Sequence, residues 1–421
     1  MIPQHNKPAS IFILIPIYLP AFKAGGPLKS IANMVDHLGS EFDFHIIASD
    51  RDLGDKAAFP GVVPNTWIHV AKAKVLYVRP ALRGLLAISR ILSVSDYSLL
   101  YLNSVFSRLF SMLPLLILTF HLVRRVPVIV APRGEFSPGA LMIKPKRKKL
   151  YLSILRLLRL DYGIIWHASS EFERLDIIRQ FPEHAQIQLA PNIPLSPIHQ
   201  TKPLVFIAGD ISRNTAKIEP GLPPNKEPGN LSIIFFSRVS RKKNLDGAIR
   251  LLSGLKGSVT FHIYGPIEDH KHWQECSTLI RSLEGNIHVE YRGEIRPEQV
   301  LHVLSQYHLF LLPTHGENFG HVIAESFAAG CPVLISDQTP WRNLDHFGIG
   351  WDIPLDQPEK FRSVLTRCVE MGTDEFRLFS RRAKSYARNR NLDQGSVIQH
   401  REMFVHSLAQ LKFLRRGKSH Q

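Results

Sequence analysis

The chain has 421 residues, 44% of them hydrophobic and 21% charged, and its formal net charge at pH 7 is +16. This length exceeds what one hydrophobic core normally supports, so we expect at least two domains, and the composition excludes a disordered chain. The positive charge predicts an acidic partner, but we do not expect nucleic acid, because the sequence shows neither a known binding motif nor a basic stripe interleaved with aromatic residues.

The cysteines and the apolar segments predict the cellular compartment of the protein. Cys276, Cys331 and Cys368 are too far apart in the sequence for a metal-ligand spacing or a disulfide framework, which is typical of a reducing compartment such as the cytoplasm. The apolar run at residues 11–19 contains a proline and is typical of a strand, so we expect no signal peptide. The run at residues 109–123 is shorter than the roughly 20 residues that span a membrane, so we expect no transmembrane helix.

Apolar runs of strand length alternate with helix-length segments in the first half of the chain. These runs occupy residues 11–15, 98–102, 128–131 and 163–166. The alternation predicts a parallel sheet with helices on both faces. We therefore assign residues 1–195 to an amino-terminal Rossmann-like domain.

A basic and strongly apolar segment at residues 144–160 lies in this domain. Five basic residues open the segment, and leucines with interspersed arginines follow. This composition is typical of a helix at an anionic membrane surface. A core helix with one solvated end explains the same pattern, and the sequence leaves both interpretations open.

A polar, proline-rich stretch at residues 196–229 predicts an interdomain linker with an insertion. The alternation then resumes and predicts a second Rossmann-like domain over residues 230–390, followed by a basic, helical carboxyl-terminal segment at 391–421. The apolar runs of the second domain lie at residues 233–236, 259–264, 287–291 and 309–312. The expected fold class is therefore α/β, with two doubly wound domains facing across a cleft and ligands bound at the carboxyl ends of their strands.

The segment at residues 313–333 is the most informative part of the sequence. A helix is expected to begin near Phe319, and the backbone N–H groups of Asn318, Phe319 and Gly320 would lie where a helix start attracts an anion. Glu325 follows Glu317 by about two turns, so one helix would present both carboxylates to hydroxyl groups of a single ligand. Taken singly, Glu317 is also explained as a helix-stabilising carboxylate and Glu325 as part of a solvated helix face.

Four basic residues follow the first strand of the second domain: Arg238, Arg241, Lys242 and Lys243. They lie near its carboxyl end, where a cationic pair can neutralise a leaving diphosphate. Since no aspartate triplet suggests a metal-held diphosphate, we expect no metal ion and no other cofactor.

The segment at residues 313–333 resembles the donor-binding signature of glycosyltransferase family 4, whose fold is called GT-B. The resemblance implies that Glu317 contacts the transferred sugar and that Glu325 holds the ribose of the nucleotide. It also implies that Arg238 and Lys243, which match the family's arginine-to-lysine turn, bind the diphosphate. For Arg241 and Lys242, which lie between them, surface charge is the simpler explanation. Three further positions match strand ends that line the nucleotide pocket through their backbone: Gly265, Arg292 and Gly293.

The first domain matches the same family less closely, and the resemblance implies that this domain binds the acceptor. The pair Gly25 and Gly26 resembles the family's glycine loop, which implies contact with the donor phosphates, although most glycine pairs are simple turns. Arg133 occupies a strand end where many relatives have a histidine. Because an arginine is always protonated, Arg133 can bind a hydroxyl, a phosphate or the acceptor but cannot act as a base. Glu135 and His167 are further candidates, and for His167 a buried strand-end position is the alternative.

The resemblance covers roughly residues 10–390 and implies a retaining glycosyltransferase that moves a sugar from a nucleotide-sugar donor to a saccharide acceptor. The basic apolar segment suits a lipid-linked acceptor, and hence a cytoplasmic protein at the inner face of a bacterial membrane that assembles lipopolysaccharide, capsule or exopolysaccharide. Sugar-nucleotide epimerases and phosphorylases share the GT-B architecture, and an inactive membrane-binding partner is a third alternative.

Overall fold

The computed structural model describes residues 8–182, 185–194, 204–207, 210–213, 224–392 and 394–416. The contacts divide the chain into two compact units. The first consists of Met1–Ser196, Leu204–Asn214 and Gln394–Gln421, and the second of Pro197–Pro203 and Thr215–Asp393. Most of the linker expected at residues 196–229 lies outside the described residues.

A ten-stranded sheet forms the centre of the first unit. Its strands are β1 (Ser10–Leu14), β2 (Asp43–Ser49), β3 (Trp67–Val70), β4 (Ala73–Val78), β5 (Leu99–Leu102), β6 (Val128–Val130), β7 (Ile164–Ala168), β8 (Gln186–Leu189), β9 (Leu204–Ile207) and β10 (Asp210–Arg213). They lie in the order β8-β7-β6-β5-β1-β2-β4-β3-β10-β9, and neighbours are parallel except β3 with β4 and β9 with β10. The central strands are apolar and buried on both faces, as a covered parallel sheet requires.

Helices cover both faces of this sheet. They are α1 (Gly26–Leu38), α2 (Leu82–Val94), α3 (Leu113–Thr119), which continues a π-helical turn at Arg108–Met112, α4 (Pro138–Leu141), α5 (Pro145–Leu157) and α6 (Glu171–Gln180). Ile88 of α2, Leu115 of α3 and Leu152 of α5 pack into one core, whereas Met34 of α1 packs into a second core. Among the described residues, no helix combines the length and the apolar character needed to cross a membrane.

A six-stranded, fully parallel sheet forms the centre of the second unit. Its strands are β11 (Asn230–Phe236), β12 (Ser258–Tyr264), β13 (Ile287–Gly293), β14 (Leu309–Leu312), β15 (Val333–Ser336) and β16 (Gly350–Ile353), in the order β13-β12-β11-β14-β15-β16. Its helices are α7 (Leu245–Leu252), α8 (His270–Arg281), α9 (Val300–Leu304), α10 (His321–Ala329), α11 (Leu344–Phe347), α12 (Pro358–Glu370) and α13 (Thr373–Leu392). Because β11 and β14 are parallel neighbours, the loops that follow them leave the same edge of the sheet.

The last helix, α14 (Gly395–Arg416), belongs to the first unit. Its Phe404 packs edge-on against Tyr101 of β5. Its Arg401 forms a bidentate ion pair with Glu41 at 2.6 and 2.7 Å. The chain therefore returns to the first unit after α13. The boundary expected at residue 391 lies inside the last turn of α13, one helix before this return.

Candidate functional site

The loops that follow β11 and β14 meet at the carboxyl edge of the second unit's sheet. A short 3-10 helix at Arg241–Lys243 follows β11, and Asn244 after it has a left-handed backbone with φ of 57°. The side-chain amide of Asn244 donates to the carbonyl of Pro313, just after β14, at 2.7 Å. The backbone N–H of His315 donates to the carbonyl of Lys242 at 2.8 Å. These bonds hold the two loops against each other.

Lys243 and Glu317 form an ion pair between these loops. The Lys243 ammonium donates to Oε1 of Glu317, and only 10% and 14% of the two side chains are exposed. The backbone N–H of Glu317 donates to the carbonyl of Gln338 at 2.9 Å and so positions the residue. Two residues that the sequence singled out are therefore in direct contact, at the edge where parallel sheets bind ligands.

The surroundings of Glu317 keep its carboxyl group ionised. Burial on its own acts to raise the pKa of Glu317. The ammonium of Lys243 lowers this pKa through its charge and its hydrogen bond, and Lys242 and Arg238 lower it further, so that the net shift is downward. The carboxylate is therefore negatively charged at neutral pH and can balance positive charge that develops on a ligand.

Arg238 lies just after β11 and is paired with a different carboxylate. Its Nη1 donates to Oε1 of Glu268 at 3.0 Å, and 38% of the arginine side chain is exposed. An exposed ion pair of this kind contributes little to stability, so Arg238 can exchange Glu268 for an anionic ligand. Arg241, for which surface charge was the simpler explanation, pairs with Glu275 at 2.7 Å.

Helix α10 begins later than the sequence predicts. Gly320 adopts a left-handed conformation with φ of 74°, and the helix starts only after it. Asn318 and Phe319 therefore lie in the preceding loop, where Phe319 is buried and its carbonyl accepts from the indole of Trp341. The expectation that the N–H groups of Asn318 and Phe319 belong to the helix start is wrong, whereas Gly320 directly precedes the first turn.

Glu317 and Glu325 do not share a helix. Glu317 lies in the loop before α10, and Glu325 lies within α10, where only 5% of the residue is exposed. The prediction that one helix presents both carboxylates is therefore wrong, because the left-handed Gly320 separates the loop from the helix. A ligand that contacts both glutamates has to extend from the loop to the helix.

The strand ends of β11, β12 and β13 lie together at the same edge. Gly265 follows β12, and its N–H donates to the carbonyl of Gly293 at 2.8 Å. A Cβ atom at Gly265 would lie 2.2 Å from the carbonyl oxygen of Ser237, and φ is 121°, so this position requires glycine. Arg292 pairs with Glu290 of its own strand at 2.7 Å, so its side chain is engaged along β13.

One asparagine of the first unit connects Arg133 to the glycine loop. Gly25, with φ of 70°, precedes α1, whose first residue is Gly26. Asn103, just after β5, donates from Nδ2 to the carbonyl of Pro27 at 3.4 Å and accepts from Nε of Arg133 at 2.7 Å. Residues that the sequence suggested separately therefore lie around one side chain at the carboxyl edge of the sheet.

The side chains that hold Arg133 were not identified from the sequence. Besides Asn103, the Oδ1 atom of Asn192 accepts from Nη1 at 2.6 Å, and the hydroxyl of Tyr101 accepts from Nη2 at 2.7 Å. Asn103 and Asn192 follow the strands β5 and β8. A polar residue after an apolar strand is the signal that could have found both.

Glu135 and His167 are engaged within the first unit. The Glu135 carboxylate accepts from the N–H groups of Val105 and Phe106 at 2.6 and 3.2 Å, and burial outweighs these bonds and raises its pKa. His167 is fully buried in β7, where its Nδ1 lies 2.6 Å from the hydroxyl of Tyr101. The buried strand-end position, stated above as the alternative for His167, is thus the one observed.

Comparisons with known proteins find one family model and a set of similar folds. Residues 223–370 match the family model described as glycosyl transferases group 1. No curated protein matches the chain. Sucrose-phosphate synthase from Thermosynechococcus elongatus is a similar solved structure, with 13% identity, coverage of 95% of this chain and 99% of that chain, and a TM-score of 0.70. Anabaena HepE in complex with UDP-glucose is similar as well, with 14% identity, coverage of 95% of this chain and 99% of that chain, and a TM-score of 0.64. WaaG, a glycosyltransferase involved in lipopolysaccharide biosynthesis, is also similar, with 12% identity, coverage of 92% of this chain and 97% of that chain, and a TM-score of 0.58.

The two kinds of match agree with the fold described above. At these identities the solved structures show a shared fold over nearly the whole chain. The family match spans the sheet of the second unit and the loops that carry Arg238, Lys243 and Glu317. The α/β fold class predicted from the sequence is thereby confirmed. Residues 223–370 therefore match the group 1 glycosyl transferases, which indicates a glycosyltransferase, and the chain shares the GT-B fold of the similar solved structures.

Proposed function

We propose that this glycosyltransferase moves a sugar from a nucleotide-sugar donor to a saccharide acceptor and retains the anomeric configuration. The observation that carries the proposal is the Lys243–Glu317 ion pair at the carboxyl edge of the second unit's sheet, close to Arg238. It brings together cations for a leaving diphosphate and a carboxylate for positive charge on the sugar ring. Retention is supported by the resemblance of residues 313–333 to the family 4 signature.

In the proposed reaction the acceptor attacks from the side of the leaving group. The bond between the anomeric carbon and the phosphate oxygen breaks, and the acceptor hydroxyl forms the new bond on the same face. The leaving phosphate oxygen takes the proton of that hydroxyl. Arg238 and Lys243 neutralise the negative charge that grows on the diphosphate, and Glu317 lies against the sugar.

We assign the remaining donor contacts as the resemblance implies. Glu325 holds the ribose, and backbone groups make the other contacts, at Gly25, Gly26, Gly265, Arg292, Gly293, Asn318, Phe319 and Gly320. A backbone contact survives most side-chain substitutions. The charged side chains of Arg238, Lys243 and Glu317 are therefore the better probes of the site.

UDP binding should not require a divalent metal ion. Arg238 and Lys243 supply the positive charge that would otherwise come from a metal. In the part of the chain that the structure describes, no group of three or more His, Cys, Asp or Glu side chains is placed to hold a metal ion. UDP is the first nucleotide to test because the similar Anabaena structure is a UDP-glucose complex. Calorimetry should give the same dissociation constant with and without a chelator.

Substitutions distinguish UDP binding by Arg238 and Lys243 from nonspecific attraction to the positive surface. Arg238→Gln combined with Lys243→Met should weaken UDP binding about 100-fold, because each lost charged hydrogen bond costs about 1.5 kcal/mol. Arg241→Gln is the matched control, since Arg241 is an exposed arginine of the same loop that the family resemblance does not assign to the diphosphate, and it should leave UDP affinity unchanged. Loss of UDP binding on addition of the chelator would overturn the metal-free site. If UDP does not bind, a screen of other nucleoside diphosphates shows whether the protein prefers another base or whether the diphosphate site is assigned wrongly.

We further propose that the acceptor is lipid-linked and that the outer face of α5 approaches the inner face of a bacterial membrane. Leu152 and Leu155 of this helix are buried, whereas Leu150 and Leu157 are 63% and 81% exposed. The helix also exposes basic side chains, at Lys146, Arg147 and Lys149. Each of the two interpretations of residues 144–160 therefore describes one face of the helix, and the outer face has the composition of a membrane-surface helix.

The segment before α5 extends this apolar surface. Met142 and Ile143 are 79% and 54% exposed, which is unusual for large apolar side chains that have no partner to cover them. The similar protein WaaG is involved in lipopolysaccharide biosynthesis. Together with the exposed surface, this likeness supports a role of the present chain in bacterial surface polysaccharide assembly.

Replacing Lys146, Arg147 and Lys149 with glutamine should release the protein from anionic vesicles. Each basic residue near an anionic surface contributes about 1 kcal/mol, so the vesicle partition coefficient should fall about 100-fold. Lys148 stays unchanged, because its ammonium donates to the carbonyl of Ala140 at 2.6 Å. Sedimentation with vesicles of increasing anionic lipid content measures the change.

A triple substitution in the second unit serves as the control. It replaces three exposed arginines of α13 with glutamine, at Arg377, Arg381 and Arg388. This variant loses the same net charge and should still sediment like the wild type. Equal loss of sedimentation in the two triple variants, or a wild type that does not sediment, would exclude α5 as the membrane contact and favour a soluble acceptor.

A further inference from the structure

Arg133 has an unfavourable backbone conformation that the first unit holds in place. Its φ is 54°, and Gly134 after it has φ of 78°. The N–H of Gly134 donates to Oε1 of Glu173 at 2.6 Å, and Oε2 of Glu173 accepts from the N–H of Ser169 at 2.8 Å. A left-handed conformation costs a non-glycine residue about 1–2 kcal/mol, so it persists where the surroundings enforce it, commonly at functional sites.

The guanidinium group of Arg133 is held by neutral acceptors. It donates to Oδ1 of Asn103 at 2.7 Å, to Oδ1 of Asn192 at 2.6 Å and to the hydroxyl of Tyr101 at 2.7 Å. These acceptor residues are 2%, 4% and 0% exposed, so they cannot move freely. A guanidinium has five N–H groups, which leaves two for a ligand.

Arg133 forms no ion pair in the part of the chain that the structure describes, where its side-chain partners are the two asparagines and the tyrosine. The nearby carboxyl group of Glu173 accepts instead from the backbone N–H groups of Gly134 and Ser169. Burial, followed by Arg133 itself, lowers the pKa of His167 well below its usual value, and burial lowers that of His400 to about 4. Burial also raises the pKa of Tyr101 to about 12. His167, His400 and Tyr101 are therefore neutral, and a half-buried guanidinium without a direct ion pair is costly unless a ligand supplies the anion.

We propose that Arg133 binds an anionic group of a substrate, a phosphate or a carboxylate, at the carboxyl edge of the first unit's sheet. A guanidinium presents paired donors that match both groups. The site lies beside the glycine loop, because Asn103 contacts both Arg133 and Pro27. The inference rests on the proposed function for the nature of the substrate: the anion belongs to the donor diphosphate or to an acidic group of the acceptor.

Inorganic phosphate is the probe for this site. The starting protein is the full chain with Arg238→Gln and Lys243→Met, so that the proposed site of the second unit does not bind the probe. Asn192→Asp then places a carboxylate against Nη1 and neutralises Arg133 without removing it. Phosphate affinity, measured by calorimetry, should fall at least about tenfold. The control is Asn389→Asp, the same change on the exposed surface of α13, which should leave phosphate affinity unchanged.

A second variant tests the inference independently, in case Asn192→Asp does not fold. Arg133→Gly suits the left-handed backbone, removes the guanidinium and should abolish phosphate binding. Guanidinium ions at millimolar concentration should restore part of that binding, which a merely structural role of Arg133 would not allow. The inference is overturned if the starting protein does not bind phosphate, or if both Asn192→Asp and Arg133→Gly leave phosphate binding unchanged.

Two further measurements identify the source of the anion. With Arg133→Gln in the otherwise unchanged chain, UDP affinity falls about tenfold or more if the donor diphosphate is the ligand. If the anion belongs to the acceptor, UDP affinity stays unchanged, and glucose 6-phosphate binds through Arg133 whereas glucose does not. The phosphate measurements are made after Arg238 and Lys243 have been replaced, so they do not depend on donor binding at these residues or at Glu317. Failure of the proposed donor site and failure of the Arg133 site are therefore distinguishable.

Discussion

Glu317→Gln is expected to lower the turnover of sugar transfer about 100-fold or more without weakening UDP binding. The carboxylate stabilises positive charge that develops on the sugar only as the donor bond breaks, so its loss acts on the transition state. In the absence of a ligand the same carboxylate engages the Lys243 ammonium. A neutral glutamine frees Lys243 for the diphosphate, and UDP affinity should therefore stay the same or rise.

Glu325→Gln should show the opposite pattern. If Glu325 holds the ribose, the substitution weakens UDP by roughly 1–3 kcal/mol and has little effect on turnover at saturating donor. Both variants should fold, because glutamine conserves the shape of glutamate. Glu359→Gln, on the exposed first turn of α12, is the control for a lost surface charge. Equal losses of turnover and of UDP affinity in the Glu317 and Glu325 variants would show that the two residues do not have these separate roles in catalysis and in ribose binding.

Lys226→Met is expected to lower the free energy of unfolding of the second unit by about 3 kcal/mol. The Lys226 side chain is fully buried, and its ammonium donates to the carbonyls of Glu227, Val369 and Met371 at 2.9, 3.1 and 2.8 Å. The last two carbonyls lie at the end of α12, where a helix leaves its acceptors without partners. Methionine fills a similar volume but provides no donor, so these buried acceptors lose a charged hydrogen bond.

Urea unfolding followed by circular dichroism measures this loss. Lys256→Met removes an exposed lysine of the same unit and should change the free energy of unfolding by less than about 0.5 kcal/mol. Below its unfolding transition, Lys226→Met should bind UDP like the wild type, because Lys226 precedes β11, whereas the site lies at the carboxyl end of that strand. The Lys226 ammonium donates to backbone carbonyls and, among the described residues, to none of the site residues. A destabilisation equal to that of the Lys256 variant would show that the buried ammonium is dispensable.

The apolar pattern predicts much of the second unit. The runs at residues 259–264 and 309–312 correspond to β12 and β14, because strands buried on both faces of a parallel sheet are apolar throughout. The edge at which Arg238, Lys243 and Glu317 lie could be predicted for a related reason: each follows such a strand, and the carboxyl ends of parallel neighbours meet at one edge. The resemblance to family 4 then singled out these residues. The same reasoning predicts that the loops after β11 and β14 lie together, but it does not predict that Lys243 and Glu317 form an ion pair.

Other features depend on information that is not local in the sequence. β2 begins with Asp43 and contains His45, so its apolar run is interrupted and gives a weaker signal. The start of α10 depends on the left-handed backbone of Gly320, which the sequence permits but does not require. Asn192 lies 59 positions from Arg133, and this contact exists only because the strands before them belong to one sheet. For the same reason the return of α14 to the first unit could not be predicted.

Donor binding should exchange the partner of Lys243 from Glu317 to the diphosphate, and a double-mutant cycle tests this most directly. Calorimetry would measure UDP affinity for the wild type, Glu317→Gln, Lys243→Met and the double variant. We expect Lys243→Met to weaken UDP about tenfold or more, and any gain in affinity from Glu317→Gln to disappear once Lys243 is replaced. UDP affinity that is unchanged by Lys243→Met would contradict the assignment of the donor site to this ion pair.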